Sequence, residues 1–140
     1  MSSAVLRSPA HRRIAVGTAA VLTIAAGLLV HRYGSGDSGD IVGDALYAVL
    51  LYLLLALLAP RSPRRLIGAL ALILCALVEF LQLTGIPREA ADVFPPAALV
   101  LGAGFDQRDL LVYAAAVVIT MIVDVVISRA ARPKAPQRSH

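Results

Sequence analysis

The sequence predicts an all-α membrane protein, an antiparallel four-transmembrane-helix bundle with a short interfacial or re-entrant segment before the last helix. Three observations predict it. Hydrophobic residues make up 59% of the 140, and mean hydropathy is +0.78, well above the apolar share of an average soluble domain. The charged residues, 16% of the chain, are bunched between apolar runs rather than spread along amphipathic faces. There are four such runs, and each approaches the roughly 20 residues that a helix needs to cross a hydrocarbon core. The net charge of +4 lies in basic clusters beside these runs, as topology signals and anionic headgroup contacts require, so no nucleic-acid partner is expected.

Arg7, Arg12 and Arg13 precede the first run, residues 14–30. It exceeds the apolar region of a secretory signal and ends in His31-Arg32-Tyr33 rather than a small-residue cleavage site, so an uncleaved helix is expected. Ala15, Ala19, Thr23 and Gly27 recur at four-residue spacing, a small-residue stripe that lets another helix approach closely. Tyr33 to Gly43 reads as a flexible polar connector.

The second span, 44–59, opens on Asp44, which is placed to complement the positive end of the helix dipole. Tyr47, Ala48, Tyr52 and Ala56 follow along it, and Pro60 ends it. The basic turn Arg61 to Arg65 sends the third span, 66–86, back across the bundle. An acid within a span costs roughly 2.5 to 3.5 kcal/mol, so Glu79 and Gln82 are expected to face partners rather than lipid. Gly68, Ala71, Cys75, Glu79 and Gln82 follow at steps of three or four and share one inward face. Glu79 is then expected about 10 Å below the helix end, with Pro87 stopping the helix. The lone Cys75 allows no intrachain disulfide.

Residues 93–105 are too short to span and are broken by Pro95, Pro96, Gly102 and Gly104, which gives the interfacial or re-entrant segment. The last span, 110–128, carries Asp109, Tyr113, Ala116, Thr120 and Asp124 on one stripe. A basic tail over 129–140, expected to be disordered, completes the chain.

Counting Lys and Arg gives three before the first span, one, three and two in successive loops, and four in the tail. The positive-inside rule therefore puts both termini, including the basic segment 1–13, in the cytoplasm, with the spans crossing the cytoplasmic membrane. The same orientation gathers eight of the nine acids at the outer end, leaving only Asp124 inside.

Asp44, Tyr47, Glu79, Gln82, Arg88, Asp106, Asp109 and Tyr113 thus form a candidate polar cluster under the outer leaflet. Three uses stay open: recognition of a membrane lipid or a lipid-linked envelope precursor, a cation or proton site for coupled transport, and purely structural bonding in an assembly subunit or oligomer. No catalytic set is expected. The sequence has no serine–histidine–acid arrangement and no HExxH, and His11, His31 and His140 stand in separate polar segments; no cofactor and no metal ligand set is expected either.

Gly43-Asp44-Ala45-Leu46-Tyr47-Ala48, Glu79-x-x-Gln82, Leu99-Val100-Leu101-Gly102-x-Gly104-Phe105 and Asp109-Leu110-x-x-Tyr113 together resemble domain of unknown function 2809. That family of small bacterial inner-membrane proteins is similar to VanZ-like proteins. The resemblance implies a compact four-helix membrane protein with no established reaction, and by analogy with teicoplanin resistance among VanZ-like proteins, an envelope role.

The orientation is open to direct test. A reporter active only in the cytoplasm and fused after His140 should be active, and one that needs export should be silent.

Overall fold

The computed structural model of the chain describes residues 9–102 and 104–130. The expected tail from residue 131 onward, with Arg132, Lys134, Arg138 and His140, lies outside them, as does Arg7. Among the described residues six helices follow in order: α1 Pro9–Tyr33, α2 Gly36–Leu58, α3 Arg64–Gln82, α4 Ile86–Val93, α5 Ala97–Leu101 and α6 Gln107–Ala130. No strand occurs among the described residues. Four of the helices, α1, α2, α3 and α6, are long and apolar enough to cross a membrane. This is a multi-pass membrane protein.

Several boundaries differ from the sequence reading, each for a local reason. The Tyr33–Gly43 connector is mostly helix, because α2 begins at Gly36 and only Gly34 and Ser35 remain as the link. Asp37 in the first turn favours that start through the helix dipole, and the packing of α2 on α1 outweighs the low propensity of the glycines that follow. Helix α3 ends at Gln82 rather than at residue 86. Gly85 (φ +79°, ψ −14°) takes the left-handed conformation that closes the helix, and its N–H donates to the Gln82 carbonyl at 3.4 Å. Pro87 consequently starts a helix instead of stopping one: it occupies the first turn of α4, where its missing N–H has no partner to lose. Glu79 is thus one turn, about 5 Å, from the end of α3 rather than 10 Å.

The core is a three-helix seam. Helices α2, α3 and α6 pack mutually, α1 approaches only α2, and α4 and α5 form a small cap on the end of α3. The seam is built from small residues beside a few large ones. Ala48, Tyr52 and Ala56 of α2, Ile67, Ala71 and Cys75 of α3, and Tyr113, Ala116 and Val117 of α6 are all buried. Without a hydrophobic force between helices in lipid, such close approach supplies the packing contacts that hold the bundle together. A Cβ at Gly68 would already touch Val117 at 3.5 Å and Met121 at 3.6 Å. On α1, Val16, Ala19 and Ala20 face the seam whereas Ala15 is exposed, so the expected stripe is rotated by one residue at its start. The large exposed residues, among them Val21, Leu29, Leu77, Leu111 and Ile119, point outward, where lipid would cover them.

One carboxylate fastens an end of this bundle. Asp124 of α6 accepts Arg12 of α1 at 3.0 Å, the Tyr52 hydroxyl of α2 at 3.0 Å and Arg64 of α3 at 2.8 Å through a single oxygen. Its other oxygen accepts the Ser128 hydroxyl at 3.4 Å, and Ser128 in turn accepts Arg64 at 2.6 Å. These contacts bring the start of α1, the end of α2, the start of α3 and the end of α6 to one side of the molecule. Charge-assisted bonds of this kind outrank neutral ones, and the site is only 16% exposed at the Asp124 side chain.

Replacing Asp124 with Ala should lower stability by roughly 3 kcal/mol, because two half-buried arginines lose their counter-charge; Tyr52→Phe should cost only about 1 kcal/mol. Thermal unfolding of the purified protein in neutral detergent measures both.

Candidate functional site

The opposite end of the bundle has the reverse chemistry: acids gather there with little basic charge to meet them. Asp44 lies two turns into α2, Glu79 one turn before the end of α3, and Asp109 in the first turn of α6. Because these helices pack on one another, the three carboxyls converge at one end of the seam. The Tyr113 hydroxyl donates to Asp44 at 3.5 Å, and its ring meets Tyr47 with centroids 6.4 Å apart.

Glu79 is fully buried, and neither of its carboxylate oxygens has a hydrogen-bond partner in good geometry. A buried carboxyl without a donor is costly, so its persistence needs a compensating group, whether a proton or a cationic partner. Gln82 is half-buried above it. The Gln82 amide donates to the Leu101 carbonyl at 2.9 Å and so pins α5 to α3, while its own oxygen is buried without a partner.

That pin depends on Gly102. Its backbone (φ +68°, ψ −178°) lies in a region open essentially to glycine alone, and a Cβ there would collide with the Gln82 amide. Phe80 and Phe105 stack at 6.5 Å on the outer side of the same junction.

Asp106 terminates this loop and caps α6, accepting the Arg108 backbone N–H at 2.8 Å. The Arg108 guanidinium also donates to it at 2.9 and 3.0 Å, and these bonds hold the Asp106 carboxyl below the usual carboxylate range. Arg108 is therefore already committed, with Asp37 as a second, looser partner at 3.5 Å.

Asp44, Tyr47, Gln82, Asp106, Asp109 and Tyr113 all line one cavity of about 870 Å³ between α1, α2, the end of α3, α5 and α6. Its polar floor is flanked by apolar walls that include Ile24, Leu28, Leu46, Leu50 and Leu99. Of the expected residues, Glu79 is sealed behind this lining, and Arg88 is exposed on α4 outside it. Arg108 stands in the wall as the basic residue instead. Sequence reasoning missed the contribution of α1: Thr23 and Gly27 line the cavity, although their stripe indicated only packing. The Asp124 cluster was missed as well, and its signal was available in the only acid at the basic end.

The family described as Protein of unknown function (DUF2809) matches residues 38–117. The chain belongs to this family. The DUF2809 region takes in α2 through the first half of α6 and contains all eight expected cluster residues, whereas Arg12 and Asp124 lie beyond it. No curated protein and no solved structure matches the chain.

Gly102→Ala should destabilise the protein by roughly 1–3 kcal/mol through backbone strain and the displaced Gln82 amide. The Gln82→Ala/Gly102→Ala pair should lose less than the sum of the single changes, since removing the amide removes the collision; a double-mutant cycle by thermal unfolding measures that coupling.

Proposed function

We propose that this protein binds an amphiphile of the cell envelope, a membrane lipid or a lipid-linked precursor, by its head group at the outer face of the cytoplasmic membrane. The observation that carries this reading is the cavity itself, with Asp44, Asp109 and Tyr113 at a polar floor and aliphatic side chains on its flanks. Such a site suits a molecule with a hydrogen-bond-donating head and an apolar body. The donor preference follows from charge. The floor presents carboxylates, and the one arginine in the wall is taken up by Asp106, so ammonium or hydroxyl groups fit better than a bare phosphate. The likeness to VanZ-like proteins in sequence motifs also supports an envelope role.

A structural reading has its own support, since the Tyr113–Asp44 and Gln82–Leu101 bonds each join separate elements. The two readings separate in one experiment. Purified protein in neutral detergent is titrated with phosphatidylethanolamine, with a monoglucosyl diacylglycerol and with phosphatidylcholine of matched chains. Under the binding reading, one of the first two raises the unfolding midpoint by several degrees over phosphatidylcholine. A ligand at about 100 times its Kd contributes roughly 2.7 kcal/mol, enough for such a shift. The Asp44→Asn/Asp109→Asn variant should keep its unliganded midpoint and lose the shift. If neither lipid exceeds phosphatidylcholine, or the variant keeps the shift, binding at this cavity is wrong. Collapse of expression in the variant assigns the cluster to the fold alone.

A further inference from the structure

The end of the molecule fastened by Asp124 carries a second open groove, independent of the cavity above. It has a volume of about 620 Å³ and runs between the start of α3 and the last turns of α6, lined by Pro63, Arg64, Arg65, Met121, Ile122, Val125, Val126 and Arg129. Its two halves differ in chemistry. Ile122, Val125, Val126 and Arg129 follow at steps of three, one and three, so a strip of branched apolar side chains on α6 leads up to an arginine. Ile122 and Val126 are more than half exposed, whereas Met121 and Val125 beside them are partly buried against the bundle.

The head of the groove is basic. Arg64 belongs to the Asp124 cluster, but Arg65 and Arg129 are exposed and have no acidic partner among the described residues. The membrane-spanning stretches begin at Arg64 and end at Arg129, which sets these guanidinium groups at the level where a bilayer's headgroups lie.

We propose that this groove is a binding site for an anionic phospholipid. The phosphate head pairs with Arg65 and Arg129, and one acyl chain lies along the strip Met121, Ile122, Val125 and Val126. Charge complementarity chooses the occupant. A zwitterionic lipid would bring its own cation next to two arginines, and a soluble anion would leave the apolar strip bare. Guanidinium groups suit the phosphate because they donate in parallel to two of its oxygens. The Asp124 carboxylate, already neutralised by Arg12 and Arg64, does not repel the head.

The test uses the full chain purified in neutral detergent, with native mass spectrometry and thermal unfolding as readouts. Phosphatidylglycerol should be retained in preference to phosphatidylcholine of the same chains. Each of Arg65→Gln and Arg129→Gln should weaken phosphatidylglycerol binding roughly fivefold, and the pair about thirtyfold, as expected for the loss of one headgroup-level cation each. Their unliganded unfolding midpoints should stay unchanged, because neither arginine bonds Asp124. The Arg13→Gln/Arg61→Gln variant removes two cations from the same end outside the groove and should leave the preference intact. An equal loss in that variant would assign the preference to the general charge of this face and overturn the site. Glycerol phosphate without chains should give no shift; an equal shift would remove the apolar strip from the proposal. A dimer in detergent that takes up phosphatidylglycerol only on dissociation would seat a second copy in the groove and overturn it too.

Discussion

Asp124 is the contact on which the arrangement of the spans depends. One carboxylate oxygen gathers donors from three other helices, so the neighbouring ends of α1, α2, α3 and α6 are held together. Lipid offers no hydrophobic force to sort helices by face, and directional bonds to a buried charge supply the register that packing alone leaves soft. Helix α1 shows this most plainly. Its backbone approaches only α2, yet Arg12 reaches across to α6 and fixes where the start of that helix lies.

The two ends of the bundle treat acid in opposite ways. At the Asp124 end, two arginines, a tyrosine and a serine satisfy one carboxylate. At the other, Asp44, Glu79 and Asp109 converge while Arg108 is drawn off by Asp106 and Asp37. The first is the pattern of a fastening, in which the one carboxylate finds all its partners within the chain. The second leaves hydrogen-bonding capacity unspent, with both Glu79 oxygens and the Gln82 oxygen lacking partners. It does so next to a cavity that opens between helices. The carboxylates of Asp44 and Asp109, which line that cavity while Arg108 is drawn off to Asp106, make this end, rather than the other, the candidate for binding a head group with donors.

Much of this was legible along the chain. The face formed by Gly68, Ala71, Cys75 and Glu79 needed only helical spacing and the high cost of an acid in lipid, and all four are buried. The stripe from Asp109 through Tyr113 and Ala116 was readable for the same reason, and Tyr113 and Ala116 are buried with it. The misreadings fall where local signals compete. Glycines at 36, 39 and 43 suggested a loop, but a helix carried on through them because the flanking Asp37 and the packing of α1 on α2 favour it. Pro87 signals either an end or a beginning, and only the left-handed Gly85 decides between them. Arg88 looked like a partner for the acids on sequence proximity, yet α4 turns it outward.

Sequence by itself determined the membrane class, the number of spans, and the inward faces of α3 and α6, because hydropathy and the 3.6-residue period are properties of single helices. It also marked the acids as a group. Tertiary structure decided which of them meet. Asp44, Glu79 and Asp109 are brought together from three helices, Glu79 is shut behind the cavity wall, and Arg108 takes the place Arg88 was expected to fill. Those outcomes depend on crossing geometry and on how one carboxylate distributes itself among several donors, and neither is written in the spacing of any single segment.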